Sequence, residues 1–249
     1  MINLFDSEAK KYIKGESFSN GLSFKIANKS PLLSRIHFLT QYCKGKNVLH
    51  VGCTDHIPLV KQKIQQNTWL HKCIDEVAAK QLGIDVDLDA IHYINSQIGY
   101  SNIIYMDVIN DPVCPEIENE IWDILLLGEV LEHINNPVEF LTSLQRKYGN
   151  YVKEIIITVP NAFSFSNFFN ALFKNSEHIN TDHRYWFTPF TLNKVLSISG
   201  FRPTSIKYAT YYPLRKSKRI RNLFLKILFS IRPVLRGDLI MIADFEKNN

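Results

Sequence analysis

Apolar residues fall in seven short, strand-length runs, near residues 47–51, 81–85, 102–106, 121–127, 152–158, 204–209 and 239–245. Between most of these runs they recur every three or four residues, the period of a helix with one buried face. Strands alternating with helices build βαβ units, so the pattern predicts an α/β fold: a largely parallel sheet with helices on both faces. Trp122, Ile124, Leu125, Leu126 and Leu127 make the fourth run apolar almost throughout, as a strand covered on both sides requires. Residues 1–45 carry a predicted helix over 30–42 that would pack on the first strand rather than stand alone, making residues 1–249 one domain.

Directly after Gly128 a further helix is predicted to open, with Glu129, Glu132 and His133 at i, i+3 and i+4 and therefore on one face. Ligands of open α/β sheets bind outside the carboxyl ends of the strands. Three polar side chains at such an end form a candidate site.

A chain of 249 residues that is 45% hydrophobic can bury a substantial core, which excludes disorder as its dominant state. Its excess of 29 basic over 24 acidic residues is local, because residues 215–236 hold eight basic side chains and no acid. Cys43, Cys53, Cys73 and Cys114 lack zinc-ribbon or CxxC spacing and follow no signal-peptide pattern, so a reducing cytoplasm is the expected compartment. No apolar run reaches the roughly 20 residues of a membrane span.

Residues 211–236 form a long segment between strands six and seven. Ile220, Leu223, Phe224, Ile227, Leu228 and Ile231 repeat at helical spacing, with Arg215, Lys216, Lys218, Arg219, Arg221, Lys226, Arg232 and Arg236 around them. That is a basic amphipathic helix. Three partners suit it: an anionic membrane surface, a phosphate-rich substrate such as nucleic acid or a lipid-pyrophosphate sugar, or its own body or a second subunit, packing being the ordinary fate of such a stripe. Residues 161–175 alternate aromatic with small polar side chains and suit either a lid over an acceptor or a short packed helix.

Val48, Leu49, His50, Val51, Gly52, Cys53, Thr54, Asp55 and His56 resemble the nucleotide-binding loop of the class I S-adenosylmethionine-dependent methyltransferases. The match is partial: Thr54 and His56 stand where glycines are common, and His50 replaces the usual acid. Leu82, Gly83, Ile84, Asp85, Val86 and Asp87 resemble that family's second strand, which implies that Asp85 accepts from both ribose hydroxyls. Asp87 and Asp89 suit capping of the next helix. Ile104, Tyr105, Met106, Asp107 and Val108 resemble the third-strand motif, implying an adenine amino contact at Asp107 and a backbone contact at Val108. Val159, Pro160 and Asn161, and residues 187–192 through Gly200 and Phe201, resemble the later elements. The resemblance implies a Rossmann-like seven-stranded sheet with its last strand antiparallel. It also implies S-adenosylmethionine as cofactor, bound by His50, Gly52, Cys53, Asp85, Val86, Asp107, Val108 and Gly128.

Glu129, Glu132 and His133 together resemble the Glu-x-x-Glu-His pattern of the ubiquinone-pathway O-methyltransferases and of the small-RNA 3′-end 2′-O-methyltransferases. There the two carboxylates, the imidazole and a later histidine bind a divalent cation; His183 occupies the comparable later place. This implies Glu129, Glu132, His133 and His183 as ligands for Mg²⁺, Mn²⁺ or Zn²⁺. Without a metal, Glu129 would touch cofactor or complement the helix end, and His133 or His183 would be the general base. His37, His71, His92 and His178 carry no motif and read as surface or packing residues. The expected activity is O-methylation of a small-molecule, sugar or glycan-intermediate hydroxyl, in the cytoplasm or peripheral to the inner face of a membrane. The alternatives are RNA 3′-end 2′-O-methylation and a methyltransferase-fold interaction protein without catalysis.

Overall fold

The computed structural model describes residues 2–25, 31–210 and 219–246. Seven strands form the central sheet: β1 (Asn47–Val51), β2 (Lys80–Asp85), β3 (Ile103–Tyr105), β4 (Trp122–Gly128), β5 (Val152–Pro160), β6 (Phe201–Ala209) and β7 (Asp238–Phe245). Their order is β3-β2-β1-β4-β5-β7-β6, parallel except for β7, which runs antiparallel to both β5 and β6. Two short strands, Ile2–Asn3 and Phe24–Lys25, pair apart from it. The helices are α1 (Ser7–Ile13), α2 (Arg35–Cys43), α3 (Ile57–Gln65), α4 (Leu70–Asp75), α5 (Leu88–Tyr93), α6 (Pro115–Glu118), α7 (Pro137–Tyr148), α8 (Phe165–Lys174), α9 (Pro189–Ile198) and α10 (Arg219–Ile231).

Side-chain alternation divides the core between the two faces of the sheet. Leu49, Leu125, Leu127, Ile155 and Ile157 pack under α7 and α9 with Leu141, Leu144, Leu192 and Leu196. Val48, Ile124, Leu126 and Ile156 face the other way, against Leu39 and Cys43 of α2 and Leu70 and Ile74 of α4. The α/β architecture with an antiparallel last strand is therefore as the sequence predicts. Strand order reverses between β1 and β4, which opens a crevice at their carboxyl ends.

Three local expectations are corrected. The helix expected over 30–42 starts at Arg35, because Ser34 caps it and accepts from the His37 N–H; residue 30 lies outside the described residues. No helix opens after Gly128. Glu129 takes a left-handed φ of 65°, and only a 3₁₀ turn, Leu131–His133, follows before Asn136 caps α7 with Pro137 at its first position. A proline disfavours helical geometry in the residue before it, so too few residues remain for a helix there. Finally, β6 begins at Phe201, earlier than the apolar run suggests, with a bulge between Pro203 and Ser205.

Candidate active site

Two cavities, of about 550 and 540 Å³, open at the carboxyl ends of β1, β2 and β4, and Gly52 and Asp85 line both. Gly52 holds a φ of 69°, and a Cβ there would lie 2.4 Å from Val130 Cγ2. Only glycine keeps the backbone this close to both spaces.

The first cavity is mainly apolar, walled by Ile84, Val86, Met106, Val108, Val130 and Phe140. Two of its three acids, Asp85 and Asp107, are already occupied. Asp85 Oδ2 accepts from the Thr54 N–H and hydroxyl at 2.9 and 2.8 Å, and Oδ1 accepts from the N–H groups of Val86 and Asp87. Those four donors fill the lone-pair positions of a carboxylate. Asp107 accepts from the N–H groups of Ile109 and Asn110 and from the Asn110 side chain. Burial acts to raise its pKa, but these hydrogen bonds prevail and hold it below the usual carboxylate range. Asp87 caps α5, accepting from the Ala90 N–H at 2.9 Å.

The second cavity is polar and is lined by Arg35, His50, Gly128, Glu129, His133, Asn180 and His183, among others. Backbone bonds fold the later segment onto the turn after β4: Arg184 N–H donates to the Glu132 carbonyl at 2.8 Å, and the Tyr185 hydroxyl donates to the Asn135 carbonyl. His133 and His183 consequently meet edge to face with ring centroids 4.6 Å apart, and His183 Nε2 lies 4.0 Å from Glu132 Oε1. Both Glu132 oxygens and His183 Nδ1 are buried without a hydrogen-bond partner. Burial, reinforced by Glu129, pushes the Glu132 pKa up to about 8, while burial and His133 lower that of His183.

Glu129 does not join this cluster. It turns instead to Arg35, whose guanidinium lies 3.3 Å from its carboxylate and also donates to the Thr158 hydroxyl. Asp238 stands close by at the start of β7, and burial followed by Glu129 raises its pKa well above normal. One guanidinium thus serves a neighbourhood of three acids, which favours an additional cation in the cavity.

His50 reaches the same cavity through a buried chain. Asp75 accepts from the Asn102 amide at 2.7 Å, so Asn102 Oδ1 faces His71 Nε2, which must carry the proton. His71 Nδ1 is then a lone pair that accepts from the Gln81 amide and from His50 Nδ1, at 3.1 and 3.3 Å. Burial lowers both histidine pKa values, that of His71 to about 4, so both rings are neutral. The outcome is a fixed tautomer in which His50 Nε2, buried and without a partner, is a bare acceptor beside Gly128.

The fold therefore brings together Glu132, His133 and His183, and around the two cavities His50, Gly52, Cys53, Asp85, Val86, Asp107, Val108 and Gly128. Cys53 contributes backbone: its carbonyl accepts from the Trp69 indole while its thiol is buried. Arg35, Thr158, Asp238 and the His71–Asn102–Asp75 chain carry no sequence signal, since their roles depend on contacts across the fold. No residue of 161–175 lines either cavity, so that segment forms no lid over them.

The donor set suits a divalent cation: one ligand atom each from Glu132, His133 and His183 lies within 4.8 Å of the others. Ligands about 2.1 Å from an ion stand at most about 4.2 Å apart, so a small closure would complete the site. A cationic cofactor fits as well, because Glu129 brings negative charge to the polar cavity and the His50 lone pair accepts.

No family model matches the chain, and no curated protein does. Among solved structures it is similar to an S-adenosylmethionine-dependent methyltransferase from Archaeoglobus fulgidus, at 20% identity and a TM-score of 0.51 over 84% of this chain and 91% of that one. It is also similar to the small RNA methyltransferase HEN1, at 14% identity and a TM-score of 0.53 over 93% of this chain but 27% of that one. At such identities the likeness is one of fold.

Proposed function

We propose that this chain, whose fold is that of the class I S-adenosylmethionine-dependent methyltransferases, is an O-methyltransferase acting on a hydroxyl of a small-molecule, sugar or glycan-intermediate acceptor. One observation carries the reading: an apolar cavity bordered by the fully occupied Asp85 carboxylate adjoins, across Gly52 and Asp85, a polar cavity lined by His50 and His183, whose buried ring nitrogens Nε2 and Nδ1 lack partners among the described residues. The first suits an adenosine and the second a charged methionine end together with an acceptor.

When bound, S-adenosylmethionine supplies a methyl group whose bond to sulfur breaks as its bond to the acceptor oxygen forms, leaving neutral S-adenosylhomocysteine. Asp107 and Val108 would border the adenine end of the cofactor, and Asp85 the ribose. His50 Nε2 would accept from the amino-acid ammonium, a role its tautomer prepares. His183, kept neutral by burial, takes the hydroxyl proton through Nδ1. In the alternative, a divalent cation held by Glu132, His133 and His183 would lower the pKa of that hydroxyl, and His183, then a ligand, would not be the base. Alignment of the reacting atoms is the rest of what such a site contributes.

Calorimetric titration with S-adenosylmethionine tests the reading. One-to-one binding is expected, and no heat at millimolar cofactor would leave only a non-catalytic interaction protein. Transfer of labelled methyl to sugar or lipid-linked sugar hydroxyls rather than to RNA 3′ ends separates the acceptor classes. Activity that chelator abolishes and Mg²⁺, Mn²⁺ or Zn²⁺ restores would assign the cation, whereas insensitivity to chelator would leave His183 as the base.

A further inference from the structure

The outward faces of α8 and α10 are apolar and, among the described residues, uncovered. Phe168, Leu172 and Phe173 of α8 are each more than half exposed, and this helix has no buried residue at all. On α10 the outward side chains are Leu223, Phe224, Ile227 and Ile231, again each more than half exposed, while Asn222 and Phe229 face inward. Four positions of the stripe that the sequence places on this helix, Leu223, Phe224, Ile227 and Ile231, are therefore not packed on the body. Phe165 and Phe224 meet with ring centroids 6.2 Å apart, so the two stripes adjoin. Arg236 fixes the end of the segment: it is fully buried, donating to the carbonyls of Phe229, Pro31 and Tyr208. It is the one basic residue of the segment shown not to serve the surface.

Charge distinguishes the possible occupants. Residues 162–176 and 208–237 contain no acid. Lys174, Lys226 and Arg232 are exposed, with the Lys174 ammonium 5.8 Å from the Phe169 ring centroid. Arg215, Lys216 and Lys218 lie outside the described residues and add charge by sequence. A second copy related by a two-fold axis would set basic side chain against basic side chain, with no acid in either segment to offset them. Nucleic acid would take the cations but leave Leu172, Leu223, Ile227 and Ile231 in water. A bilayer containing anionic lipid accommodates both the apolar stripe and its basic rim.

We propose that the joined outer faces of α8 and α10 dock the protein on an anionic membrane surface. The segment that leaves the carboxyl end of β5 forms α8 and then carries Asn180 and His183 into the polar cavity. With the proposed function as premise, docking brings that cavity beside the headgroups and points to a lipid-linked hydroxyl as acceptor.

The test is cosedimentation of the full chain with vesicles of phosphatidylcholine, with and without phosphatidylglycerol. Two double variants accompany it, Leu172→Ser with Phe173→Ser and Ile227→Ser with Ile231→Ser, all at exposed positions, with unchanged melting temperature as the check on folding. Binding is expected to the mixed vesicles only, weakening about tenfold or more as salt rises from about 0.15 M to about 1 M, and about tenfold or more in each double variant. No vesicle binding, equal binding to pure phosphatidylcholine, or variants that bind like the parent would overturn the proposal. So would a dimer in sedimentation equilibrium, or salt-sensitive RNA binding, that the same substitutions abolish. The assay contains no cofactor, so its outcome is separate from that of the calorimetric titration.

Discussion

The two halves of the cleft lie on either side of Gly52, yet their polar groups are in opposite conditions. In the apolar half Asp85 and Asp107 have their acceptor positions taken by neighbouring N–H, hydroxyl and amide groups of the chain itself. In the polar half both Glu132 oxygens and the Nδ1 atom of the partly buried His183 are buried and meet no hydrogen-bond partner among the described residues. A satisfied carboxylate stiffens a loop, whereas a buried unsatisfied one costs stability unless something arrives to pair it. The first half is thus built to hold a shape and the second to receive charge.

The largest expected effect follows from removing the base. His183→Ala should lower the methyl-transfer rate by about 10²–10⁴-fold while leaving S-adenosylmethionine affinity within about threefold, as calorimetry and single-turnover rates would record. Equal losses in binding and rate would erase the distinction between the halves.

Stability against pH comes next. The folded-state pKa of Glu132, about 8, lies above its unfolded value, so the folded chain holds the proton more tightly. The resulting stability is fully present below about pH 4.5 and is lost as pH rises through about 8, a contribution on the order of a few kcal/mol. Denaturant melts of chelator-treated protein should show this fall. Glu132→Gln should flatten it, leaving the same-signed contribution of Asp238. Added Mg²⁺, Mn²⁺ or Zn²⁺ should also flatten it if the ion occupies the site, and a fall unchanged by Glu132→Gln would refute the burial argument.

Smaller again is the effect of Asp85→Ala on cofactor affinity, about 1–3 kcal/mol by calorimetry, through slackening of the loop whose Thr54, Val86 and Asp87 donors the carboxylate holds. Smallest is Thr54→Val. Removing the hydroxyl that occupies Asp85 Oδ2 frees one acceptor position, so affinity should hold or rise within about threefold. A large loss would mean that the hydroxyl, not the carboxylate, organises the loop.

The apolar half was legible in the sequence because its signals are local. Each motif ends a strand whose apolar run marks it, and β1 falls at the predicted residues, bounded by Lys46 and Gly52. The polar half was legible only as a set of residue types. A left-handed Glu129 cannot be read from spacing, and its pairing with Arg35 joins positions far apart in the chain. His71 carries no motif, and its place in the chain that orients His50 depends on Asn102 and Asp75. For α10 the period predicts a helix correctly, but amphipathicity does not say which face meets the body. Here the inward side is set by Phe229, Asn222 and the Arg236 anchor, leaving the apolar stripe outside.

A crystal structure with S-adenosylhomocysteine tests the division of labour most directly. The adenine should lie in the apolar cavity beside Asp107 and Val108, the sulfur where the cavities adjoin at Gly52 and Asp85, on the side of His183, and the amino group within hydrogen-bonding distance of His50 Nε2. The product bound in the reverse orientation, with its amino-acid end among Met106, Val108 and Phe140, or bound outside both cavities, would contradict it.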